Sequence, residues 1–172
     1  MRNWTNSQLK RVAFRALFPL LLAQVFCAVV LFGLVGGGTA WGQAVGDYRS
    51  IQSGNWSSTS TWERFNGASW VAAVATPTSL DGQITVRAGH TVTVAASVTA
   101  DQVIVQAGGQ ITVNNAFILT IANGAGTDLD VFGTVNVAGT LTINAGAAAV
   151  VESGGILQNS GAVNTTGTLT FA

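Results

Sequence analysis

The sequence predicts an all-β fold, a single-stranded right-handed parallel β-helix carrying a tryptophan-rich N-terminal cap, and three observations lead there. First, apolar residues alternate in constant phase over forty residues. Between Val103 and Ile143, thirteen of the twenty-one odd-numbered positions are large and apolar, against three of the twenty even ones, Ile104, Ile118 and Phe132. One strand face is therefore buried throughout. A straight strand of that length would reach about 130 Å, so the chain must turn repeatedly while conserving parity. Second, Gly-x-Ile/Leu/Val recurs at Gly109, Gly133, Gly139, Gly155, Gly161 and Gly167, with spacings of 24, 6, 16, 6 and 6. Hexapeptide spacing with an aliphatic residue two places past each corner marks the sides of a solenoid, about three to a coil. Third, no segment after Asp81 has helical period.

The alternative is an antiparallel β-sandwich, which also uses short alternating strands. Its hairpins would favour Asn-Gly or Asp-Gly turns, for which the repeat region offers mainly Asn123-Gly124. The 16-residue step after Gly139 and the run "AGAAAV" at Ala145 to Val150 break the hexapeptide rule. They predict an irregular rung with smaller inward residues.

Taken in order, the first 44 residues read as a secretory signal peptide. Arg2, Lys10, Arg11 and Arg15 precede the apolar run Ala16 to Val35, and "GGGTAWGQA" follows, the order of basic, apolar and small-residue regions that export requires. Cleavage after Gly42 or after Ala44 fits the small-residue pairs. The competing reading is a retained anchor, since the run is about long enough to span a bilayer. Lipoprotein processing fits poorly, because Cys27 follows the bulky "QVF".

Without the leader, Arg49, Arg64 and Arg87 stand against Asp47, Glu63, Asp81, Asp101, Asp128, Asp130 and Glu152, a net charge of minus four. That balance excludes a nucleic-acid partner. The same part has no cysteine, which excludes disulfides and thiolate chemistry. Residues 45–80 are aperiodic and hold Trp56, Trp62 and Trp70; they are expected to cover the first rung of the repeats at 81–172. The sequence stops at "GTLTFA" within the repeat. This suggests a chain truncated from a longer protein, or an open edge able to self-associate.

Two stretches, "YRSIQSGNWSSTSTWERFNGASW" and "DGQITVRAGHTVTV", with the later "GTDLDVFGTVNVAGTLTI" and "SGGILQNSGAV", resemble the N-terminal module of large exported bacterial surface proteins. Those proteins are adhesin-like, of the type IX secretion kind. The arrangement is also similar to the extracellular domain named for its eight glycines. The resemblance covers about residues 48–171. It implies a parallel β-helix secreted by, or on the surface of, a Gram-negative cell, and brings no catalytic residues. The C-terminal sorting domain of type IX substrates has no counterpart in the sequence.

Candidate chemistry is sparse. Polysaccharide lyases and glycosidases need clustered carboxylates or a basic group beside the sugar, whereas the three arginines lie at or before residue 87. Asp128 and Asp130, at i, i+2, are expected on one outer face, either as a solvated edge or as a weak calcium site, since "NGAGTDLDV" partly matches a calcium repeat. The sole histidine, His90, has no second His or Cys with which to hold a metal, and reads as a turn residue bonding the backbone. Trp56, Trp62 and Trp70 have two readings, burial at the end of the solenoid or a stacking platform for a carbohydrate. Threonine pairs at 91/93, 140/142 and 168/170 lack the common spacing an ice-binding face needs and follow from strand propensity.

The expected function is a non-enzymatic structural or adhesion scaffold, without cofactor, whose partner is an extracellular polysaccharide or a surface protein. A membrane contact would come only through an uncleaved leader. The rival expectation is a carbohydrate-binding or carbohydrate-active fragment.

Overall fold

A computed structural model describes residues 42–172. The leader assigned to residues 1–44 therefore lies outside the described residues, except for its last three. The chain enters through β1 (Tyr48–Ser50), β2 (Gly54–Asn55), a 3-10 turn at Thr59–Thr61, β3 (Trp62–Phe65) and β4 (Trp70–Ala72). Three short strands then make each coil. The first coil is β5 (Ile84–Val86), β6 (Thr91–Val94) and β7 (Val98–Ala100). The second is β8 (Val103–Val105), β9 (Gln110–Val113) and β10 (Ile118–Ile121). The third is β11 (Leu129–Val131), β12 (Thr134–Val137) and β13 (Thr140–Ile143). The fourth is β14 (Ala148–Val151), β15 (Ile156–Asn159) and β16 (Ala162–Thr165), and β17 (Thr168–Phe171) opens a fifth.

From β5 onward each strand pairs in parallel with the strand three places later, which stacks the coils into three sheets. Sheet A runs β17-β14-β11-β8-β5-β1-β3-β4, sheet B runs β15-β12-β9-β6-β2, and sheet C runs β16-β13-β10-β7. The fold is the expected β-solenoid, of about four turns. Antiparallel pairing among the described residues is confined to β1 with β3 and β3 with β4, so the sandwich alternative is wrong. Its local signals, short alternating strands and frequent turn residues, are common to both architectures.

Parity explains the packing. Ile84, Val103, Leu129, Ala149 and Leu169 stack along sheet A, Val92, Ile111, Val135 and Leu157 along sheet B, and Val98, Leu119, Leu141 and Val163 along sheet C. Each fully buried aliphatic contributes about 1.5–3 kcal/mol, and the columns belong to one buried core. The even-numbered Ile118 and Phe132 face outward, both 40% exposed.

The irregular rung also forms as expected. "AGAAAV" becomes a corner and β14, with Ala147 and Ala149 as its small buried residues. The six repeat glycines each stand immediately before a strand, namely β9, β12, β13, β15, β16 and β17.

One expectation needs correction. Coil length is not a uniform 18 residues: successive equivalents along sheet A are 19, 26, 20 and 20 residues apart. The excess lies in corners, which the inward pattern leaves free. The constant phase expected from Val103 to Ile143 holds, but it does not extend back into the first coil. Inward positions are even from Ile84 to Ala100 and odd from Val103 onward. The switch falls at Asp101-Gln102, where Gln102 adopts φ 51°, a left-handed conformation uncommon outside glycine.

Residues 45–80 do cover the first coil, but by continuing the solenoid rather than by an irregular plug. β1 and β2 add parallel strands beneath β5 and β6, and β3 and β4 extend sheet A by antiparallel pairing. Asp47 ties down the entry, its carboxylate accepting the N–H of Ala44 at 2.7 Å and of Gln83 at 2.9 Å. Tyr48, Trp56 and Trp62 share one core with the coil aliphatics. Among the described residues no helix is long and apolar enough to cross a membrane.

Candidate functional site

The three tryptophans separate into two kinds. Trp56 is 2% exposed and Trp62 is fully buried. Their rings meet edge to face, with centroids 5.1 Å apart. Both indole N–H groups are satisfied, Trp62 donating to the Trp56 carbonyl at 2.8 Å and Trp56 to the Pro77 carbonyl at 3.0 Å. A sugar ring cannot reach either face, so the platform reading fails for these two residues and the burial reading accounts for them. Trp70 is half-buried on β4. Arg49 lies over its ring at 4.2 Å, and Phe65 packs beside it with centroids 5.4 Å apart. Arg49 also bonds Glu63, the one ion pair among the described residues. Trp70 is thus half of a cation–π contact rather than part of a coplanar pair.

His90 bonds a side chain where the sequence suggested backbone. Its Nδ1 lies 2.8 Å from Ser50 Oγ. Ser50 Oγ also accepts the N–H of Arg87 at 3.0 Å, so one hydroxyl joins the His90 ring to the Arg87 backbone. A serine beside a histidine suggests a nucleophile, but Ser50 is fully buried and its oxygen is already engaged. The pair fastens β1 to the corner between β5 and β6. Ser50→Ala is expected to lower the unfolding free energy by about 1–3 kcal/mol by leaving the Arg87 N–H without an acceptor; the shift in urea midpoint checks it.

Asp128 and Asp130 do not form one site. Asp128 is fully buried beside β11, and its carboxylate accepts the N–H groups of Gly124 and Ala148, each at 2.7 Å. Its carboxyl neighbour is Asp101. Burial first, and then a hydrogen bond with Asp128, push the Asp101 carboxyl up to about 6. Asp130 takes an outward position between Ile104 and Val150, is 8% exposed, and has an Oδ1 without a donor. Burial and the neighbouring Glu152 raise its carboxyl above the usual range. The sequence thus singled out two carboxylates that the fold gives to different partners, and it gave no weight to Asp101 and Glu152, which complete the pairs. Only strand register could have found them. No three acidic, histidine or cysteine side chains converge among the described residues.

The outer faces divide by charge. None of the nine strands of sheets B and C contains a charged residue, whereas sheet A carries Arg49, Glu63, Arg64 and Asp130. On sheet B the outward column Asn55, Thr93, Thr112, Asn136 and Gln158 is in register, and on sheet C the column Thr99, Thr120, Thr142 and Asn164 is likewise. The threonine pairs noted in the sequence fall on three different sheets, sheet B for 91/93, sheet C for 140/142 and sheet A for 168/170. They therefore cannot stack with one another. A shallow groove of about 210 Å³ opens at the corner between sheets B and C, lined by Asn136, Val137, Ala138, Gln158, Asn159 and Ser160. Its polar surface is made of neutral amide and hydroxyl groups. No protein-family model, curated protein or solved structure matches this chain.

Proposed function

We propose that the chain is an exported, non-enzymatic module that serves as a rigid stalk or adhesion scaffold within a larger cell-surface protein, in keeping with its resemblance to the adhesin-like surface modules. The observation that carries this reading is the unbroken register from β2 to β15, with the cap tryptophans and the coil aliphatics in a single core. Length along the stack grows by about 4.8 Å per coil, and each coil is held by its neighbours. The reactive residue types support the same reading, because Ser50, His90 and Asp128 are spent on ties between strands and corners.

Expression of the whole chain in a Gram-negative host, followed by fractionation and N-terminal sequencing, tests export. The expected product lies outside the inner membrane and begins at Gln43 or Val45. An uncleaved cytosolic product would sink the reading. Self-association belongs to the same proposal. The outer edges of β15, β16 and β17 are unpaired among the described residues, and Phe171 is 65% exposed, so these edges can accept further strands. Sedimentation that stays monomeric at all concentrations would count against it.

A second reading, carbohydrate binding, moves from the tryptophans to the uncharged faces of sheets B and C. Neutral hydroxyl and amide columns suit a neutral polysaccharide, and such binding would be insensitive to salt. Co-sedimentation with insoluble neutral polysaccharides at low and high ionic strength tests it; loss of binding in high salt would contradict it.

A further inference from the structure

The longest connection within the coils is the seven-residue stretch from Ala122 to Asp128, between β10 and β11. It is fastened to the corner at Asp101 and Gln102, one coil earlier. Gln102 Nε2 donates to the Ala125 carbonyl at 3.0 Å. Gly124 lies flush against the Asp101 carboxyl, leaving no room for a Cβ, while its N–H donates to Asp128 Oδ1 at 2.7 Å. Two carboxyl groups therefore converge on Gly124 from adjacent coils. No cation neutralises them, since the one ion pair among the described residues is Arg49 with Glu63.

Like charges this close disfavour each other's ionised form. The Asp128 carboxylate accepts two backbone N–H groups, whereas burial and then the hydrogen bond with Asp128 raise the Asp101 carboxyl, which makes Asp101 the group placed to carry the shared proton. The neighbouring acidic pair, Asp130 with Glu152, adds further negative charge on sheet A. We propose that the Asp101–Asp128 contact is a proton-operated latch on the 122–128 loop, closed while Asp101 is protonated and opened when that proton leaves to water.

The sign follows from the elevated position of the Asp101 carboxyl, at about 6, against about 3.9 for an unfolded aspartate. The latch is complete below about pH 4 and is lost as pH rises through about 6. In the latched state Gln102 is held in its left-handed conformation, and the parity switch that sets the inward face of every later coil is fixed with it.

Hydrogen exchange of the full chain between pH 4.5 and 7.5, corrected for intrinsic rates, tests the proposal. Protection of residues 122–128 is expected to fall about 10- to 100-fold across that interval, one to two units of proton affinity, while the ladder amides of β8 and β10 hold theirs. Asp101→Asn supplies a neutral donor of the same shape and should keep the loop protected at every pH, whereas Asp130→Asn should retain the step. Absence of the step in the native chain, or its survival in Asp101→Asn, would overturn the latch. A carboxyl-carbon NMR titration of native Asp101 gives an independent reading, and a midpoint near 4 would overturn it as well.

Discussion

Trp62→Ala lowers the unfolding free energy by about 3–5 kcal/mol, the largest loss expected from any single truncation among the described residues. Trp62 is fully buried, begins β3, and meets Trp56 edge to face. Its indole N–H also holds the Trp56 carbonyl. Removing the ring opens a cavity under the first coil and frees that carbonyl. Because Ser50 pairs with Trp62 across β1 and β3, the His90–Ser50 tie loosens as well. Denaturant unfolding checks the magnitude. Exchange protection should vanish first in β1 to β4 and then in the first coil, because each coil depends on the one below.

Gly139→Ala costs about 3 kcal/mol, the upper end of what overpacking costs. A Cβ at Gly139 would overlap the carbonyl oxygens of Asn114 and Phe117 in the coil beneath. Those oxygens belong to backbone already committed to the ladder, Phe117 accepting the Thr140 N–H at 2.9 Å and Asn114 accepting the Phe117 N–H at 3.1 Å. They cannot step aside without breaking sheet C between β10 and β13. The expected signature is lost cooperativity, with the third and fourth coils exchanging faster than the first two. A variant that unfolds in one transition with an unchanged midpoint would contradict it. Gly89→Ala is a useful contrast. No atom lies within 4 Å of its Cβ position, and its cost comes only from φ 79°, about 1–2 kcal/mol.

These two residues also show what the sequence made legible. The glycines before six of the repeat strands were visible because close approach of stacked backbones permits no side chain there, and that constraint recurs from coil to coil. Inward parity was visible for the same reason, as Val135, Val137, Leu141 and Ile143 must all fill one core. The cap was visible as a cluster of large aromatics, although its continuation of the sheets was not, since β1 and β2 are only three and two residues long.

The parity switch was hidden because it rests on one residue, Gln102, in a conformation that its side chain does not advertise. Coil length was hidden because corners such as 122–128 can grow without disturbing any inward position. The acidic pairs were hidden for a different reason. Asp101 and Asp128 are 27 positions apart in the sequence, and only the register of β8 on β11 brings them together. Likewise the partnership of His90 with Ser50 crosses from the cap to the first coil, where periodicity has nothing to say.

The central claim is that the cap and four coils form one stiff stack. Spin labels on Asn55→Cys and Gln158→Cys test it directly, because both positions lie in one outward column of sheet B, four strand spacings apart. The expected result is a single narrow distance distribution centred at about 20 Å, from about 4.8 Å per strand, unchanged by moderate denaturant until global unfolding. A broad distribution, or one that lengthens well before the unfolding transition, would contradict a rigid stalk.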